Sequence, residues 1–129
     1  MFIEVNPQIC DGCGVCELVC SARGRNSFNP KKSRIKIIKN YFDFNSAVVC
    51  YQCENHLCVD SCKFDAFVEF DDNIFKIDVE KCNLCTECVK ACPYHAVWIF
   101  ADEILKCDLC EGEPLCEKYC PRNAITVRR

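Results

Sequence analysis

The fold is decided by a short cysteine-rich stretch, Cys82-Asn83-Leu84-Cys85-Thr86-Glu87-Cys88-Val89-Lys90-Ala91-Cys92-Pro93. Four such motifs occur along the 129 residues, and each opens C-x2-C and closes C-x3-C. The middle gap is two, four, two and five residues in chain order. The motifs use all sixteen cysteines: Cys10, Cys13, Cys16 and Cys20; Cys50, Cys53, Cys58 and Cys62; Cys82, Cys85, Cys88 and Cys92; Cys107, Cys110, Cys116 and Cys120.

Sixteen thiolates match the ligand requirement of four [4Fe–4S] clusters, because each cluster takes four. The compact spacing, with Pro93 after Cys92 and Pro121 after Cys120, is the run typical of bacterial ferredoxins. In that run the fourth cysteine of a motif ligates the other cluster of a pair. We therefore expect a short helix after each third cysteine, which carries the fourth cysteine away from the first three.

Two other uses of sixteen cysteines are open. Four structural zinc ions would also need sixteen, but zinc sites usually separate their C-x2-C pairs by a dozen or more residues. Disulfides suit secreted chains, and the start of this sequence, Met1 to Pro7, has neither a basic region nor an apolar run of a signal peptide. The spacing favours iron–sulfur clusters over both alternatives.

Charge and hydropathy limit the location and the partners. The formal net charge is −3, and four oxidised clusters, each about −2 with its thiolates, would bring it to about −11. Nucleic-acid binding is therefore not expected. No apolar run approaches the length that spans a bilayer. Reduced thiolates without a signal peptide predict a cytoplasmic protein, and oxygen-labile clusters suggest an anaerobe.

Short β-rich runs surround the motifs in a nested order. Residues 66–70 and 74–78 read as a hairpin around Asp71-Asp72-Asn73, between motifs two and three. With strands at 47–49 and 96–100, residues 46–100 have the layout of a complete two-cluster ferredoxin. Residues 1–45 and 101–129 make a second module around it, with end strands at 2–5 and 124–127. Residues 33–38 and 103–105 are available for its inner hairpin. The predicted fold class is α+β, with one ferredoxin-like module inserted into the other.

This layout resembles the four-cluster iron–sulfur subunits of molybdenum and tungsten oxidoreductases, such as those of dimethyl sulfoxide reductase and formate dehydrogenase. The matching stretches are Cys10 to Cys16, Cys50-Tyr51-Gln52-Cys53, Lys106-Cys107-Asp108-Leu109-Cys110 and Cys120 to Ile125. Ser21 and Lys63 stand where the pattern has proline after the fourth cysteine. The small size is similar to that of the small subunits that accompany some tungsten aldehyde oxidoreductases.

The resemblance implies that motif one pairs with motif four, and motif two with motif three. The implied ligand sets are Cys10, Cys13, Cys16 and Cys120; Cys20, Cys107, Cys110 and Cys116; Cys50, Cys53, Cys58 and Cys92; Cys62, Cys82, Cys85 and Cys88. We call these the first, second, third and fourth ligand sets.

Other side chains have less specific interpretations. With the cysteine count complete, His56 and His95 are expected to have surface or packing roles. Tyr51, Tyr94 and Trp98 are expected to be apolar cover that keeps water from a cluster. Gly12 and Gly14 are expected to let the backbone turn tightly and aim N–H groups at sulfur. The basic segment from Arg23 to Arg34 is either a solvated loop or a docking surface.

The sequence contains no catalytic constellation and no nucleotide-binding fingerprint. We therefore expect an electron-transfer subunit without a catalytic site of its own, which passes single electrons between a larger catalytic subunit, with tungsten or molybdenum, and a ferredoxin or another redox partner. A free soluble polyferredoxin and a zinc-stabilised interaction module are the alternatives.

Overall fold

Short helices and antiparallel strand pairs form the part of the chain that the computed structural model describes, which is residues 2–23, 28–39, 45–71 and 74–128. The elements are β1 Phe2–Val5, α1 Val15–Ala22, β2 Ile35–Ile38, β3 Ser46–Val49, α2 Leu57–Ser61, β4 Phe67–Asp71, β5 Ile74–Ile77, α3 Glu87–Ala91, β6 Trp98–Phe100, β7 Glu103–Leu105, α4 Leu115–Tyr119 and β8 Ile125–Arg128. A 3₁₀ turn lies at Pro30–Lys32, whereas Leu109–Gly112 form a turn whose residues have positive φ. This mixed architecture agrees with the predicted α+β class.

The two ends of the chain pair with each other. Strands β1 and β8 are antiparallel, and Ile3 lies opposite Val127 while Val5 lies opposite Ile125. Alternation puts Ile3 and Ile125 in the interior, at 1% and 4% exposure. The first and fourth motifs, which follow β1 and precede β8, are thereby brought to the same part of the molecule.

The predicted hairpin between motifs two and three is present as β4 paired with β5. The register shifts between Glu69 and Asp71, where β4 carries a bulge or irregularity. Two of the residues assigned to its turn, Asp72 and Asn73, lie outside the described residues. The hairpin spans the interval between α2 and α3, which bear the third cysteines of their motifs.

The pairing expected between residues 33–38 and 103–105 is wrong. Strand β2 instead pairs with β3, and β7 pairs with β6. Each strand thus joins a near neighbour along the chain, which closes a shorter loop at lower entropic cost than a long-range pairing. Ala101 and Asp102 connect β6 to β7 with φ of 52° and 59°, the left-handed pair that matches a two-residue hairpin turn.

All four predicted helices are present, and each begins one residue before the third cysteine of its motif. Helix α1 packs against α4, and α2 packs against α3. Three of the helices have five residues and end immediately before the fourth cysteine, whereas α1 has eight residues and contains Cys20. The first motif therefore leaves its helix differently from the other three.

Two groups of buried side chains form the core. One joins Ile3 and Ile125 from the chain ends to Ile35, Ile74 and Leu109. The other joins Ala96 and Val97 to Ile104 and to cysteines of the second and third motifs. Cys107 packs against both groups. The organic core is thin, and cysteine side chains are a large part of it.

Candidate iron–sulfur sites

The first ligand set surrounds one cavity. Cys10, Cys13 and Cys16 line one space together with Cys120, more than 100 residues away along the chain. The pairing of β1 with β8 and the packing of α1 against α4 bring these cysteines together. The rest of the lining is largely apolar, with Val5, Ile37 and Ile125 among it.

The fourth ligand set surrounds another cavity. Cys62 from the second motif lines it together with Cys82, Cys85 and Cys88 from the third. Phe67 and Ile77 of the β4–β5 hairpin contribute to its wall. In both cavities, therefore, three cysteines of one motif face the fourth cysteine of another.

Three cysteines of the third ligand set line another cavity. Cys50, Cys53 and Cys58 do so together with Lys106. Burial raises the pKa of Cys53, and the nearby Cys50 and Cys92 thiolates raise it further. Cys92 thus lies within electrostatic range of the other three, although it belongs to the third motif.

The cysteines of the second ligand set lie close enough to shift one another's pKa values. Burial raises the pKa of Cys116 to about 12, and the Cys20 and Cys110 thiolates are the next largest contributions. Burial also raises the pKa of Cys107, and Cys116 and Cys20 add to that shift. Cys116 therefore lies within electrostatic range of the other three cysteines of this set.

The backbone makes the same turn in front of each second cysteine. The preceding residue has positive φ in all four motifs: Gly12 at 75°, Gln52 at 51°, Leu84 at 63° and Leu109 at 58°. Only Gly12 was expected from the sequence to have this conformation. In three motifs an aspartate or asparagine after the first cysteine accepts the N–H of the second: Asp11 from Cys13, Asn83 from Cys85 and Asp108 from Cys110, at 3.0–3.1 Å. These Asx turns stabilise the C-x2-C loops.

A second shared turn follows the fourth cysteine in motifs two, three and four. The third residue after that cysteine has positive φ, and the fourth is a buried alanine whose N–H donates to the cysteine Sγ at 3.4–3.5 Å. The donor–acceptor pairs are Ala66 with Cys62, Ala96 with Cys92 and Ala124 with Cys120. Motif two makes this turn with Lys63 in place of proline.

In the first motif, the sulfur of the fourth cysteine accepts its hydrogen bond from a more distant residue. The N–H of Arg34, fourteen residues further on, donates to Cys20 Sγ at 3.1 Å. Ser21 is completely buried; its Oγ donates to Leu18 O at 2.7 Å and accepts the N–H of Asn29 at 3.1 Å. These bonds hold the returning segment against α1, so that Arg34 can reach the sulfur.

These surroundings fit an iron–sulfur cluster. Amide groups donate to Sγ of Cys20, Cys50, Cys62, Cys92, Cys107 and Cys120, and hydrogen bonds to sulfur are one of the means by which proteins tune clusters. Burial raises the pKa of Cys16 to about 12 and that of Cys58 and Cys88 to about 11. Such thiols resist deprotonation in an apolar setting, and the positive charge of a bound metal centre would stabilise the thiolates.

Within the described residues, no group of three or more histidine, cysteine, aspartate or glutamate side chains is arranged to hold a single metal ion. In the cavities of the first and fourth sets, four cysteines from two motifs instead line one common space. Four sulfurs around a common space suit a cofactor of several atoms with sulfur ligands at its periphery.

A buried polar network near Cys107 was not predicted from the sequence. Lys106, Asp108 and Gln52 are only 5%, 6% and 8% exposed. Arg23 forms an ion pair with Asp108, which links α1 to the fourth motif. In the sequence, Lys106 belongs to a stretch that matches the family motif. Its burial depends on tertiary packing, which spacing does not reveal.

The histidines and aromatic residues have different surroundings. The His56 ring lies 5.1 Å from that of Phe75, and His95 is exposed. Tyr51 and Tyr94 pack edge to face at 4.8 Å between ring centroids, but both remain about half exposed. Lys36 Nζ lies over the Trp98 ring at 4.8 Å.

The basic segment is not uniformly available for docking. Arg23 is engaged by Asp108, and Arg34 is half-buried and bonds to Cys20 through its N–H. Lys31 is exposed and Lys32 is half-exposed. Gly24 to Ser27, including Arg25, lie outside the described residues. A docking role for this segment therefore depends chiefly on the two lysines.

Known proteins are similar to this chain in sequence and in fold. A 4Fe-4S binding domain matches residues 74–97, which contain the whole third motif. The polyferredoxin-like subunit of an aliphatic sulfonate oxidoreductase of Pyrococcus furiosus is 33% identical over 123 residues, covering 93% of this chain and 71% of the relative. This chain belongs to the [4Fe–4S] ferredoxin-like iron–sulfur subunits of oxidoreductases. Its sequence is also 30% identical to electron transport protein HydN of Escherichia coli K12, covering 96% of this chain and 85% of HydN.

A solved structure extends the likeness to an assembled enzyme. A chain of the active site complex BamBC of benzoyl coenzyme A reductase, in complex with benzoyl-CoA, aligns with a TM-score of 0.54 and 27% identity. The alignment covers 96% of this chain and 76% of that chain. In the described part of this family member, no helix has the length and apolarity needed to cross a membrane.

Proposed function

We propose that the chain carries four [4Fe–4S] clusters, held by the four ligand sets, and conducts single electrons for a larger catalytic subunit. The observation that carries this proposal is that cysteines of two different motifs line a common cavity, as Cys120 does with Cys10, Cys13 and Cys16. A [4Fe–4S] cluster supplies a one-electron centre when bound. The protein supplies the thiolates, the amide donors to sulfur and the apolar walls that limit access of water.

The nested organisation is part of the same proposal. Residues 1–45 and 101–129 form an outer ferredoxin-like module, and residues 46–100 form the inserted module. The packing of α1 against α4 and of α2 against α3 supports this division. The hairpins β2–β3 and β6–β7 each cross a boundary between the modules, so they act as the connections that fix one module to the other.

The partner in this proposal is a catalytic oxidoreductase subunit with a tungsten or molybdenum cofactor, in the cytoplasm of an anaerobe. A ferredoxin or another carrier exchanges electrons with the far end of the cluster series. Two likenesses support a permanent partner: the Pyrococcus furiosus relative is named as a subunit, and the BamBC chain comes from an active site complex. A free polyferredoxin would need no such association.

Association with the partner is tested by reversing charge on the basic segment. Lys31→Glu/Lys32→Glu should weaken co-purification with the catalytic subunit and slow reduction of the clusters by the substrate of the complex, with iron content unchanged. Arg34 is left intact, because its N–H bonds to Cys20 Sγ. The control is Lys63→Glu/Lys81→Glu, which changes the net charge equally at two exposed sites.

Size-exclusion chromatography of a native anaerobic extract reports the outcome. The wild-type chain and the control should run with a large subunit, and the Lys31/Lys32 variant should run partly alone. A wild-type chain that runs alone at its own mass would identify a free polyferredoxin. A colourless chain that contains zinc would identify the zinc-stabilised module. Normal assembly and turnover of the Lys31/Lys32 variant would show that the segment is only solvated surface.

A further inference from the structure

Lys106 is a buried lysine that is not one of the proposed cluster ligands. It follows β7, directly precedes Cys107 and is 5% exposed. Buried charges are costly unless polar groups surround them. Lys106 Nζ donates to Gln52 Oε1 at 3.2 Å, to Phe75 O at 3.2 Å and to Cys107 O at 3.1 Å. These contacts use the three donors of an ammonium group. All three acceptors are uncharged oxygens, so none of them neutralises the charge of the ammonium group.

The ammonium group faces the third ligand set. Lys106 lines the same cavity as Cys50, Cys53 and Cys58. Burial raises the pKa of Cys58 to about 11, and Lys106 is the largest electrostatic influence in the opposite direction. Gln52, one of the three acceptor residues, also donates its backbone N–H to Cys50 Sγ at 3.3 Å. The cation is therefore fixed beside this site by a residue of the site's own C-x2-C loop.

The same network joins the third ligand set to the second. Gln52 Nε2 donates to Cys107 O at 2.8 Å, so one amide side chain contacts Lys106 and the Cys107 backbone. Burial raises the pKa of Cys107, and Cys50 is the largest of the cysteine contributions to that shift. Cys50 and Cys107 thus lie within electrostatic range. Lys106 stands at the junction between the proposed inserted and outer modules.

We propose that Lys106 raises the reduction potential of the cluster held by Cys50, Cys53, Cys58 and Cys92, and so sets the energetics of electron transfer between the two modules. The inference rests on the proposed clusters and ligand sets. Reduction adds one electron and one negative charge to the cluster, with no bond made or broken, and a low-potential donor such as dithionite or the catalytic subunit supplies that electron. A fixed positive charge in a poorly screened interior stabilises the more negative state.

The test is an anaerobic redox titration of the iron-loaded protein, followed by EPR, on Lys106→Met, Lys106→Gln and Lys106→Arg. Methionine keeps an unbranched chain without charge, glutamine keeps a hydrogen-bonding group, and arginine keeps the charge. In the methionine and glutamine variants we expect one titration step to lose about tenfold in its reduced-to-oxidised ratio at a given potential. For a one-electron couple that loss is a fall of about 59 mV.

The matched control is Lys90→Met. Lys90 is likewise close in sequence to proposed cluster ligands, two residues from Cys88 and from Cys92, but its side chain is 69% exposed and paired with Glu87. Because water screens its charge, we expect its removal to move every step by less than about threefold. Lys106→Arg should stay close to the wild type. This difference separates an effect of charge from an effect of packing.

Three results would overturn the inference. One is a fully loaded Lys106→Met or Lys106→Gln protein in which all titration steps match the wild type. Another is an equal shift in Lys106→Arg and Lys106→Gln, which would make the effect steric. The third is an equal shift in Lys90→Met. If Lys106→Met fails to load iron, the comparison of Lys106→Gln with Lys106→Arg still decides. Failure of the proposed function has a separate signature, which is abnormal iron content or absent partner association in the wild-type protein itself. Both are measured before the titration.

Discussion

The first and fourth motifs end differently, although their cysteines line the same cavity. After Cys120 the chain turns at once, and the Ala124 N–H returns to the Cys120 sulfur within four residues. After Cys20 the helix continues to Ala22, and the Arg34 N–H reaches the sulfur after fourteen residues. The hydrogen bond to sulfur is thus common to both motifs, and the route by which the chain supplies it is not.

Proline is not what separates the two endings. The second motif has Lys63 after Cys62, but it makes the same turn as the motifs with Pro93 and Pro121, with Asp65 at φ 51° and the Ala66 N–H directed to sulfur. The turn requires a residue that tolerates positive φ and a small buried residue after it. In the first motif Ser21 is instead buried inside α1 and bonded to Asn29, which commits the chain to the longer path.

The largest expected effect is the loss of a whole cluster, and it tests whether these two motifs share their sites. Cys10→Ala and Cys120→Ala should perturb the same EPR signal, because both cysteines line one cavity. Cys20→Ala should perturb a different signal, which Cys110→Ala also affects. If Cys10→Ala and Cys20→Ala perturb the same EPR signal while Cys120→Ala leaves it unchanged, each motif holds its own cluster and the crossed ligand sets are wrong.

A smaller effect is expected from moving proline between the endings. Ser21→Pro should destabilise α1 by about 3 kcal/mol or more, because proline in a helix interior removes an N–H and clashes with the preceding turn. The matched change Lys63→Pro lies in a turn that already accommodates Pro93 and Pro121, and should stabilise by about 0.4–1 kcal/mol. The half-life of the visible cluster absorbance in guanidinium should therefore shorten in Ser21→Pro and lengthen slightly in Lys63→Pro.

Equal half-lives for the two proline variants would contradict the comparison. So would rapid bleaching of Lys63→Pro, since it would mean that the second motif does not share the turn of the third and fourth. Iron content measured before the addition of guanidinium controls for incomplete loading.

Local spacing and β-rich runs predict the C-x2-C loops, the helices at each third cysteine and the hairpin before motif three. Strand partners were harder, because the run at 33–38 is compatible with either of two partners. The Ala101-Asp102 turn lacks the glycine that usually indicates a hairpin. The roles of Ser21, Gln52 and Lys106 depend on burial, which arises only when distant segments pack together.

The central claim is that all four motifs together hold four [4Fe–4S] clusters. It is tested most directly by the iron and acid-labile sulfide content of anaerobically reconstituted protein, measured per chain with zinc determined in the same sample. The account predicts about sixteen iron and about sixteen sulfide, with zinc well below one. Iron near eight per chain, or zinc in its place, would contradict it, because half or more of the cysteines would then serve another purpose.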